Sequence, residues 1–412
     1  MPGPSTYFDP SRIGELDPGE RDLVARRARV LGSAYRLFYR EPVQLVRGLG
    51  TRVWDAAGTE YLDAYNNVPS VGHSHPRVAE AIAKQAATLT THTRYLSAGV
   101  VRYSEQLLAT LHPDIDNIMY TCTGSEANDL ALRIAKLVTG GTGVIVTSNA
   151  YHGVTTEVAA ISPSLGGVES IAGWVRLVDP ADLGRQVPAA LADFSAAGIR
   201  PAALIVDTIF ASDGVLPDVS DLGTAVGAVR AAGGLFIADE VQPGFGRLGQ
   251  GMWGFDRYGI VPDMVTVGKP MGNGQPIAAV MTRHELVDEF NRHSRYFNTF
   301  GGSSVSIAAA QATFDVLRDE ELIESARLMG QYLKTALINM GKFVEVRGAG
   351  LFIGAQLESE ARAVDVVNAL RDRHVLVSAS GPANDTLKIR PPLPFSTADA
   401  TLLLTELDAV LR

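Results

Sequence analysis

The stretch that decides the fold is NIMYTCTGSEANDLALRIAKL, residues 117–137. It begins as a short strand, and apolar residues then recur at helical spacing from Leu130 to Leu137, so the sequence predicts a strand that turns into a helix. The first helical turn offers unpaired N–H groups, the positive end of the helix dipole and the hydroxyls of Thr123 and Ser125. A phosphate can bind there, although on this segment alone an ordinary helix cap is the better interpretation.

A second segment, GLFIADEVQ at residues 234–242, predicts a buried strand with two carboxylates and an amide at its carboxyl end. Carboxylates are seldom buried without a partner. Asp239 can keep the nitrogen of a pyridine cofactor protonated, which makes the ring an electron sink. Alternatively, Asp239 caps a helix or accepts hydrogen bonds in the turn after the strand, a common role for Asp.

A third segment, PDMVTVGKPMGNG at residues 262–274, places Lys269 just past an apolar strand, among glycines and prolines. A strand end followed by a breaker-rich turn fixes the direction of a lysine amine, which suits Schiff-base chemistry if the pKa is also lowered. The ordinary alternative is a solvated lysine in a polar loop.

Strand and helix signals alternate along the chain, which predicts an α/β fold with a mostly parallel sheet between helices. The predicted strands are 117–121, 143–147, 203–206, 235–238 and 264–267, and the predicted helices are 78–87, 125–138, 221–232 and 397–411. In such folds ligands bind at the carboxyl ends of the strands. Thr123, Asp239 and Lys269 all follow predicted strand ends, so we expect them to meet.

The length of 412 residues exceeds one ordinary core. We expect an N-terminal arm at residues 1–55 that contributes to a small domain, a large cofactor-binding domain at residues 56–309 and a small α+β domain at residues 310–412.

The formal net charge of −9 argues against nucleic acid or an anionic membrane as a partner. The single cysteine, Cys122, cannot form an internal disulfide, and no apolar run approaches the roughly 20 residues of a membrane helix. The first six residues lack the basic start and apolar core of a signal peptide. A cytoplasmic metabolic enzyme is the expectation.

Six blocks in this order resemble the class III aminotransferase family of fold type I pyridoxal 5′-phosphate (PLP) enzymes. They are TGSEANDLALR (123–133), YHG (151–153), FIADEVQ (236–242), GFGR (244–247), VGKP (267–270) and FNTFGG (297–302). The resemblance implies that the mostly parallel sheet of the large domain is of the seven-stranded type. By position, it implies that Lys269 forms the covalent link to the cofactor and that Asp239 pairs with the pyridine nitrogen. The other implied cofactor-binding residues are Thr123, Gly124, Ser125, Tyr151, His152, Val241, Gln242 and Thr299.

The resemblance also implies particular contacts for several of these residues. Tyr151 and Val241 would lie against opposite faces of the ring, and Gln242 would approach the ring hydroxyl. Gly124 and Ser125 would hold the cofactor phosphate. Thr299 would reach the phosphate of a neighbouring subunit, which makes the expected assembly a homodimer, or a tetramer, with the active site at the subunit interface.

A narrower likeness is carried by YLDAYNNV (61–68), VGHSHP (71–76), TRYL (93–96) and GKPMGNG (268–274). These blocks are similar to the branch that contains the ethanolamine-phosphate and phosphohydroxylysine phospho-lyases, although transaminating homologues share much of them. The implied activity is elimination of phosphate from an amino-alkyl phosphate, ranked slightly above an ω-amine or amino-acid aminotransferase. A non-catalytic PLP-binding regulator is a remote third possibility.

A phosphate-bearing substrate needs positive charge at its distal end, and fork-shaped arginine donors suit it best. Arg94 is the first candidate and Arg390 the second, with Asn67 and Tyr65 as further substrate-binding residues. Each arginine has a structural alternative, because Arg94 can cover Tyr95 at the surface, and Arg390 can bind a carboxylate or pair with an acid.

Two further features bear on the site. Where the family commonly carries Glu-Pro after a strand, residues 207–214 read DTIFASDG, and this departure bears on the choice of substrate. His73 and His75 lie two residues apart before a proline, a pattern more typical of turn hydrogen bonds than of metal binding, so no metal is expected.

Overall fold

A computed structural model describes residues 6–166, 171–210 and 214–412. The middle of the segment that departs from the family, residues 211–213, lies outside the described residues. Within the described ranges, every helix is too short or too polar to cross a membrane.

The strands of the described residues fall into three sheets. They are β1 (Leu45–Leu49), β2 (Arg52–Asp55), β3 (Glu60–Asp63), β4 (Asn117–Thr121), β5 (Gly143–Thr147), β6 (Val175–Val178), β7 (Pro201–Asp207), β8 (Leu235–Asp239), β9 (Met264–Val267), β10 (Ala278–Thr282), β11 (Glu345–Ala349), β12 (Phe352–Gln356), β13 (Val375–Leu376), β14 (Ser378–Ser380) and β15 (Thr386–Ile389).

The α-helices of the same ranges pack around these sheets. They are α1 (Pro18–Leu31), α2 (Pro76–Thr88), α3 (Ala98–Leu108), α4 (Gly124–Thr139), α5 (Thr156–Ala159), α6 (Leu183–Ala196), α7 (Val219–Ala231), α8 (His284–His293), α9 (Ser304–Asp319), α10 (Leu322–Met340), α11 (Glu360–Asp372) and α12 (Thr397–Val410).

The central sheet has the strand order β4-β10-β9-β8-β7-β5-β6. β10 runs antiparallel to both of its neighbours, while the pairs from β9 to β6 are parallel. The expected α/β fold with a mostly parallel seven-stranded sheet is therefore confirmed. Because β4, β7, β8 and β9 all point the same way, their carboxyl ends meet at one edge of the sheet.

The central strands are short and continuously apolar, as expected for a sheet covered on both faces. Val144, Ile145 and Val146 of β5 are fully buried, and the four residues of β9 are all buried. α4 packs one apolar face, with Leu130 and Ile134, into the same core. Burial on both sides holds the strand ends in a fixed register, which positions the polar residues that follow them.

The two smaller sheets also contribute buried residues, such as Leu62 and Ile353, to a hydrophobic core that includes Ile145 of the central sheet. One has the order β1-β2-β3-β13 and the other the order β11-β12-β15-β14. β13 pairs parallel to β3, so the C-terminal third of the chain contributes to the sheet that contains the N-terminal strands. The expected boundary between residues 55 and 56 falls in the turn between the paired strands β2 and β3, and the domain division stays a prediction.

Candidate active site

A cavity of about 200 Å³ lies at the carboxyl ends of the central strands. It is lined by eight residues that the sequence selected: Gly124, Ser125, Tyr151, His152, Asp239, Val241, Gln242 and Lys269. Gly153 and Asp207 line it as well. The expected meeting of residues from separate strand ends is thus observed for Asp239 and Lys269.

Lys269 follows β9 and opens a short 3-10 helix, Lys269–Gly272. Its Nζ lies 5.9 Å from the centroid of the Tyr151 ring. Burial of the amine lowers the pKa of Lys269 to about 8, and the charge of Asp239 opposes this shift, whereas that of Arg390 adds to it. The amine therefore reaches its neutral, nucleophilic form closer to neutral pH than an exposed lysine.

Asp239 ends β8 and is buried. Its Oδ2 accepts hydrogen bonds from His152 Nδ1 at 2.7 Å and from Asn128 Nδ2 at 2.8 Å. Its Oδ1 accepts from the backbone N–H of Val241 at 3.0 Å. Three donors suit an ionised carboxylate held in one orientation.

Asn128, on the buried face of α4, was not selected from the sequence. Its Oδ1 accepts from the Thr266 hydroxyl at 2.6 Å, so its Nδ2 is left to donate to Asp239 and, at 2.7 Å, to the backbone carbonyl of His152. Thr266 lies in β9, and only the packing of α4 on β9 brings the two together. The sequence carried no signal for this contact beyond the position of Asn128 in the first turns of α4.

His152 has a fully buried side chain. Its Nδ1 donates to Asp239, and its Nε2 has no hydrogen-bond partner among the described residues. Its backbone N–H donates to Ser162 Oγ at 3.0 Å. The ring is thus oriented from both the backbone and Nδ1.

The start of α4 forms one wall of the cavity. A side chain at Gly124 would meet Val241 Cγ1 at 2.9 Å, and a Cβ at Gly153 would lie 2.4 Å from Ser125 Oγ. Ser125 Oγ accepts from the N–H of Val154 at 3.1 Å. The two glycines keep the first turn of the helix, with its unpaired N–H groups, open to the cavity.

Thr123 lies outside the cavity wall. It is the N-cap of α4, and its hydroxyl accepts from the N–H of Glu126 at 3.2 Å, while the Glu126 carboxylate accepts from the N–H of Thr123. The helix-cap alternative therefore describes the observed contact of this hydroxyl, and its role towards the cofactor stays a prediction.

A second group of predicted residues adjoins the cavity through Gln242. Arg390 is 5% exposed, and its Nη1 donates to Gln242 Oε1. Asn67 Nδ2 donates to the same oxygen at 3.5 Å. The Arg390 guanidinium lies 5.2 Å from the centroid of the Tyr65 ring. Three of the four expected substrate residues are therefore neighbours.

Arg94 and Thr299 are the exceptions. Both are exposed, and the Arg94 guanidinium lies 3.8 Å from the centroid of the Phe297 ring, away from the residues that line the cavity. Within one chain Arg390 is therefore buried beside the site and Arg94 covers an aromatic ring at the surface, and the choice of substrate arginine stays a prediction.

Asp207 was noted in the sequence only as a departure from the family. It ends β7 directly beside Asp239 in the register of the sheet and lines the cavity. Asp207 directly follows a predicted strand, as Asp239 does. This position was the signal in the sequence that could have selected Asp207.

His73 and His75 contact separate carboxylates. His73 Nε2 lies 2.6 Å from Asp63 Oδ2, and His75 Nε2 lies 3.2 Å from Glu320 Oε1. The two rings therefore do not converge on a common point.

The residues of the cavity fit PLP. An amine with a lowered pKa can react with the aldehyde of PLP. A buried carboxylate that accepts three hydrogen bonds can pair with the protonated pyridine nitrogen. The Tyr151 ring offers a stacking face, and the glycine-lined start of α4 offers N–H groups to a phosphate. Each of these chemical groups of the cofactor thus has a matching residue in the cavity.

Comparison with known proteins agrees with this geometry. The model of the family described as aminotransferase class-III matches residues 38–411. An ethanolamine-phosphate phospho-lyase homolog 1 from Caenorhabditis elegans is 36% identical, covering 95% of this chain and 93% of its own length. An alanine–glyoxylate aminotransferase 2-like protein from Drosophila melanogaster is also 36% identical, covering 92% of this chain and 84% of its own.

Among solved structures, a phospholyase from Arthrobacter in complex with phosphoethanolamine has a TM-score of 0.92 and 42% sequence identity. The match covers 95% of this chain and 99% of the Arthrobacter chain. Since the family model matches almost the whole sequence and the relatives match it at more than a third identity, the chain belongs to the class III aminotransferase family of PLP-dependent enzymes.

Proposed function

We propose that this enzyme is a phospho-lyase that eliminates phosphate and ammonia from an amino-alkyl phosphate such as ethanolamine phosphate. The observation that carries the proposal is the position of Arg390, a buried guanidinium in contact with Gln242 at the wall of the Lys269 cavity. Guanidinium donors suit phosphate oxygens. The phosphoethanolamine complex of the similar Arthrobacter phospholyase supports the same substrate class.

The proposed reaction converts ethanolamine phosphate and one water into acetaldehyde, ammonia and inorganic phosphate. The Cα–H bond and the C–O bond at the β-carbon break, and the electron pair of the Cα–H bond becomes the double bond of an enamine. Phosphate leaves with the electron pair of the C–O bond, and water then hydrolyses the enamine. PLP, when bound, supplies the electron sink that makes the Cα proton acidic.

In this proposal the Nζ of Lys269 accepts the Cα proton. A pKa lowered to about 8 by burial supports the role, because a base works best when its pKa lies near the working pH. Asp239 holds the proton of the pyridine nitrogen through a carboxylate that three donors orient. Both roles require a side chain with a fixed orientation, and burial at the ends of the strands provides it.

The remaining cavity residues bind and orient. We assign the cofactor phosphate to the N–H groups of Gly124 and Ser125, the two ring faces to Tyr151 and Val241, and the ring hydroxyl to Gln242. His152 acts through Asp239, and Thr299 is assigned to the phosphate of the neighbouring subunit. Asn67 and Tyr65 complete the wall on which Arg390 lies.

An aminotransferase is the second candidate. The Drosophila relative with that name matches as well as the nematode phospho-lyase homolog, and both reactions use the same amine and the same Cα proton. The difference lies in whether the site holds a leaving group in line with the electron sink. In this proposal Arg390 favours the lyase because its fork-shaped donors suit a phosphate leaving group.

We further propose a homodimer with the active site at the subunit interface. Thr299 is exposed in its own chain, and it lies close in sequence to Phe300, which is 70% exposed. Leu96 is fully exposed, and a groove of about 850 Å³ between α2, α3 and α9 begins beside it. A second copy of the chain would cover these apolar residues.

The domain division and the compartment are part of the same proposal. An arm of residues 1–55 joins a small domain of residues 310–412, and residues 56–309 bind the cofactor. The acidic charge and the single cysteine support a cytoplasmic location.

The test is incubation of purified holoenzyme with ethanolamine phosphate and no keto acid. A lyase releases phosphate and acetaldehyde in equal amounts over many turnovers. A transaminase gives at most one equivalent of aminated cofactor per active site and no phosphate, which would overturn the proposal in favour of the second candidate.

A further inference from the structure

His73 and Asp63 form a pair that the proposed mechanism does not use. Asp63 ends β3 and is fully buried, and Nε2 of His73 lies 2.6 Å from its Oδ2. His73 is partly exposed and lies outside the wall of the cavity. Because an ionised carboxylate only accepts hydrogen bonds, Nε2 of His73 is the donor.

Asp63 holds the turn that follows β3. Its Oδ1 accepts from the backbone N–H of Tyr65 at 3.0 Å and from that of Asn66 at 2.9 Å. Its Oδ2 accepts from Asn66 Nδ2 at 3.0 Å as well as from His73. Four donors around one buried carboxylate fix its orientation, and the carboxylate in turn fixes the path of the chain through this turn.

The turn after β3 lies against Arg390. The backbone carbonyl of Ala64 accepts from the backbone N–H of Arg390 at 2.9 Å, and the Tyr65 ring centroid lies 5.2 Å from the guanidinium. Asn67 Nδ2 donates to Gln242 Oε1 at 3.5 Å. Arg390 Nη1 donates to the same oxygen. A shift of the turn therefore moves the wall on which the proposed substrate arginine lies.

The position of His73 is itself fixed by backbone contacts. Its N–H donates to the carbonyl of Gly50 at 2.8 Å, and its carbonyl accepts from the N–H of Gly50 at 3.0 Å. A Cβ at Gly48 would lie 2.8 Å from Cβ of His73 and 3.0 Å from its Nδ1, so a glycine there lets β1 pack against the imidazole. His73 thus approaches Asp63 from a fixed position.

We propose that His73 is a positioning residue that acts through Asp63. It fixes the turn after β3, and the turn holds Arg390 and Asn67 in place for the substrate. The inference rests on the proposed function, in which these residues bind an amino-alkyl phosphate. Because transaminating homologues share much of the two blocks that contain the pair, its role is the geometry of the site and not the choice of reaction.

Three variants of the holoenzyme test this role. His73→Leu removes the donor, and His73→Gln keeps an amide donor. His75→Leu is the matched control, since His75 contacts the exposed carboxylate of Glu320. We expect His73→Leu to raise KM for ethanolamine phosphate about tenfold, with kcat changed less than about threefold and with PLP still bound. The glutamine variant and the control should keep a KM within about threefold of wild type.

Binding of 3-aminopropylphosphonate, measured by calorimetry, separates the inference from the proposed function. A methylene replaces the bridging oxygen of ethanolamine phosphate in this compound, so it cannot release phosphate. Weaker binding by His73→Leu than by His75→Leu supports the inference even if the wild-type enzyme does not cleave ethanolamine phosphate. A wild-type enzyme that neither cleaves ethanolamine phosphate nor binds the phosphonate overturns both proposals.

Equal KM values and equal phosphonate affinities in His73→Leu and His75→Leu overturn the inference and leave the proposed function standing. A glutamine variant as impaired as the leucine variant also overturns it, because the donor is then not what matters. If His73→Leu does not fold, Asn66→Ala removes the other side-chain donor to Oδ2 of Asp63 and takes its place. A raised KM in that variant supports the inference, and an unchanged KM overturns it.

Discussion

Asn128 donates a hydrogen bond from Nδ2 to Oδ2 of Asp239 at 2.8 Å, and its Oδ1 is held from outside the cavity. The Thr266 hydroxyl donates to that oxygen at 2.6 Å, and the reversed amide is unfavourable because both partners of Nδ2, the Asp239 carboxylate and the His152 carbonyl, can only accept. A reversed amide would turn an oxygen towards the Asp239 carboxylate. The proposed partner of the pyridine nitrogen therefore depends on a threonine one strand away.

Thr266→Val removes this donor while preserving the shape of the side chain. We expect the dissociation constant of PLP from the apoenzyme to rise about tenfold, because Asn128 Oδ1 is left buried without its partner and the amide holds the Asp239 carboxylate less firmly. Titration of apoenzyme with PLP, followed by visible absorbance, measures it. Thr313→Val is the matched control, since the Thr313 hydroxyl binds a backbone carbonyl within α9. Equal affinities for the two variants would contradict the account.

The lowered pKa of Lys269 predicts a pH dependence for cofactor uptake. Because only the neutral amine is nucleophilic, the rate at which the apoenzyme captures PLP should rise with pH and level off just above a pH of about 8. An exposed lysine, with a pKa of about 10.4, keeps rising well beyond that. Stopped-flow absorbance between these limits distinguishes the two. A rate that still climbs as for a free lysine means that the amine is not desolvated in the apoenzyme.

Arg390 and Arg94 differ in their predicted contribution. Arg390→Gln should raise KM for ethanolamine phosphate about tenfold to a hundredfold, because charge-assisted hydrogen bonds to phosphate are lost. Arg94→Gln should stay within about threefold, since it removes a surface contact with Phe297. Steady-state kinetics of both variants measures the difference. The reverse order would restore Arg94 as the substrate residue, acting across the subunit interface.

The proposed interface predicts a change of assembly. Leu96→Asp together with Phe300→Asp places two charges on the apolar surface, and we expect dissociation of the dimer with loss of bound PLP. Sedimentation velocity gives the assembly state, and absorbance gives the cofactor content. Leu328→Asp makes the same kind of change at an exposed leucine of α10; it is the control and should leave both unchanged. A double variant that remains dimeric would place the interface elsewhere.

Local sequence patterns predicted some strands of the central sheet with the correct bounds and missed others. β4, β5 and β9 have the predicted bounds. A short apolar run between residues that interrupt strands leaves little choice of where the strand begins and ends. β10 was missed because AAVMT, rich in small residues, lacks a strong strand signal. β6 was missed because VRLV carries an arginine within only four residues.

Among the residues of the site, too, some could be selected from the sequence and others could not. Lys269 and Asp239 could be selected because each follows a predicted apolar strand and each lies in a block that resembles the family. Asn128 could not, because its role arises from contact with a residue more than a hundred positions away. The order of Arg94 and Arg390 could not be decided either, because the sequence does not reveal which side of a strand or loop faces the cavity.

The central claim is that the amine of Lys269 holds PLP covalently. Borohydride reduction of the substrate-free holoenzyme, followed by proteolysis and mass spectrometry, tests it most directly. We predict one reduced pyridoxyl adduct per chain, on the peptide that contains Lys269, and none in Lys269→Ala. An adduct on a different lysine, or none in the wild-type protein, would contradict the account.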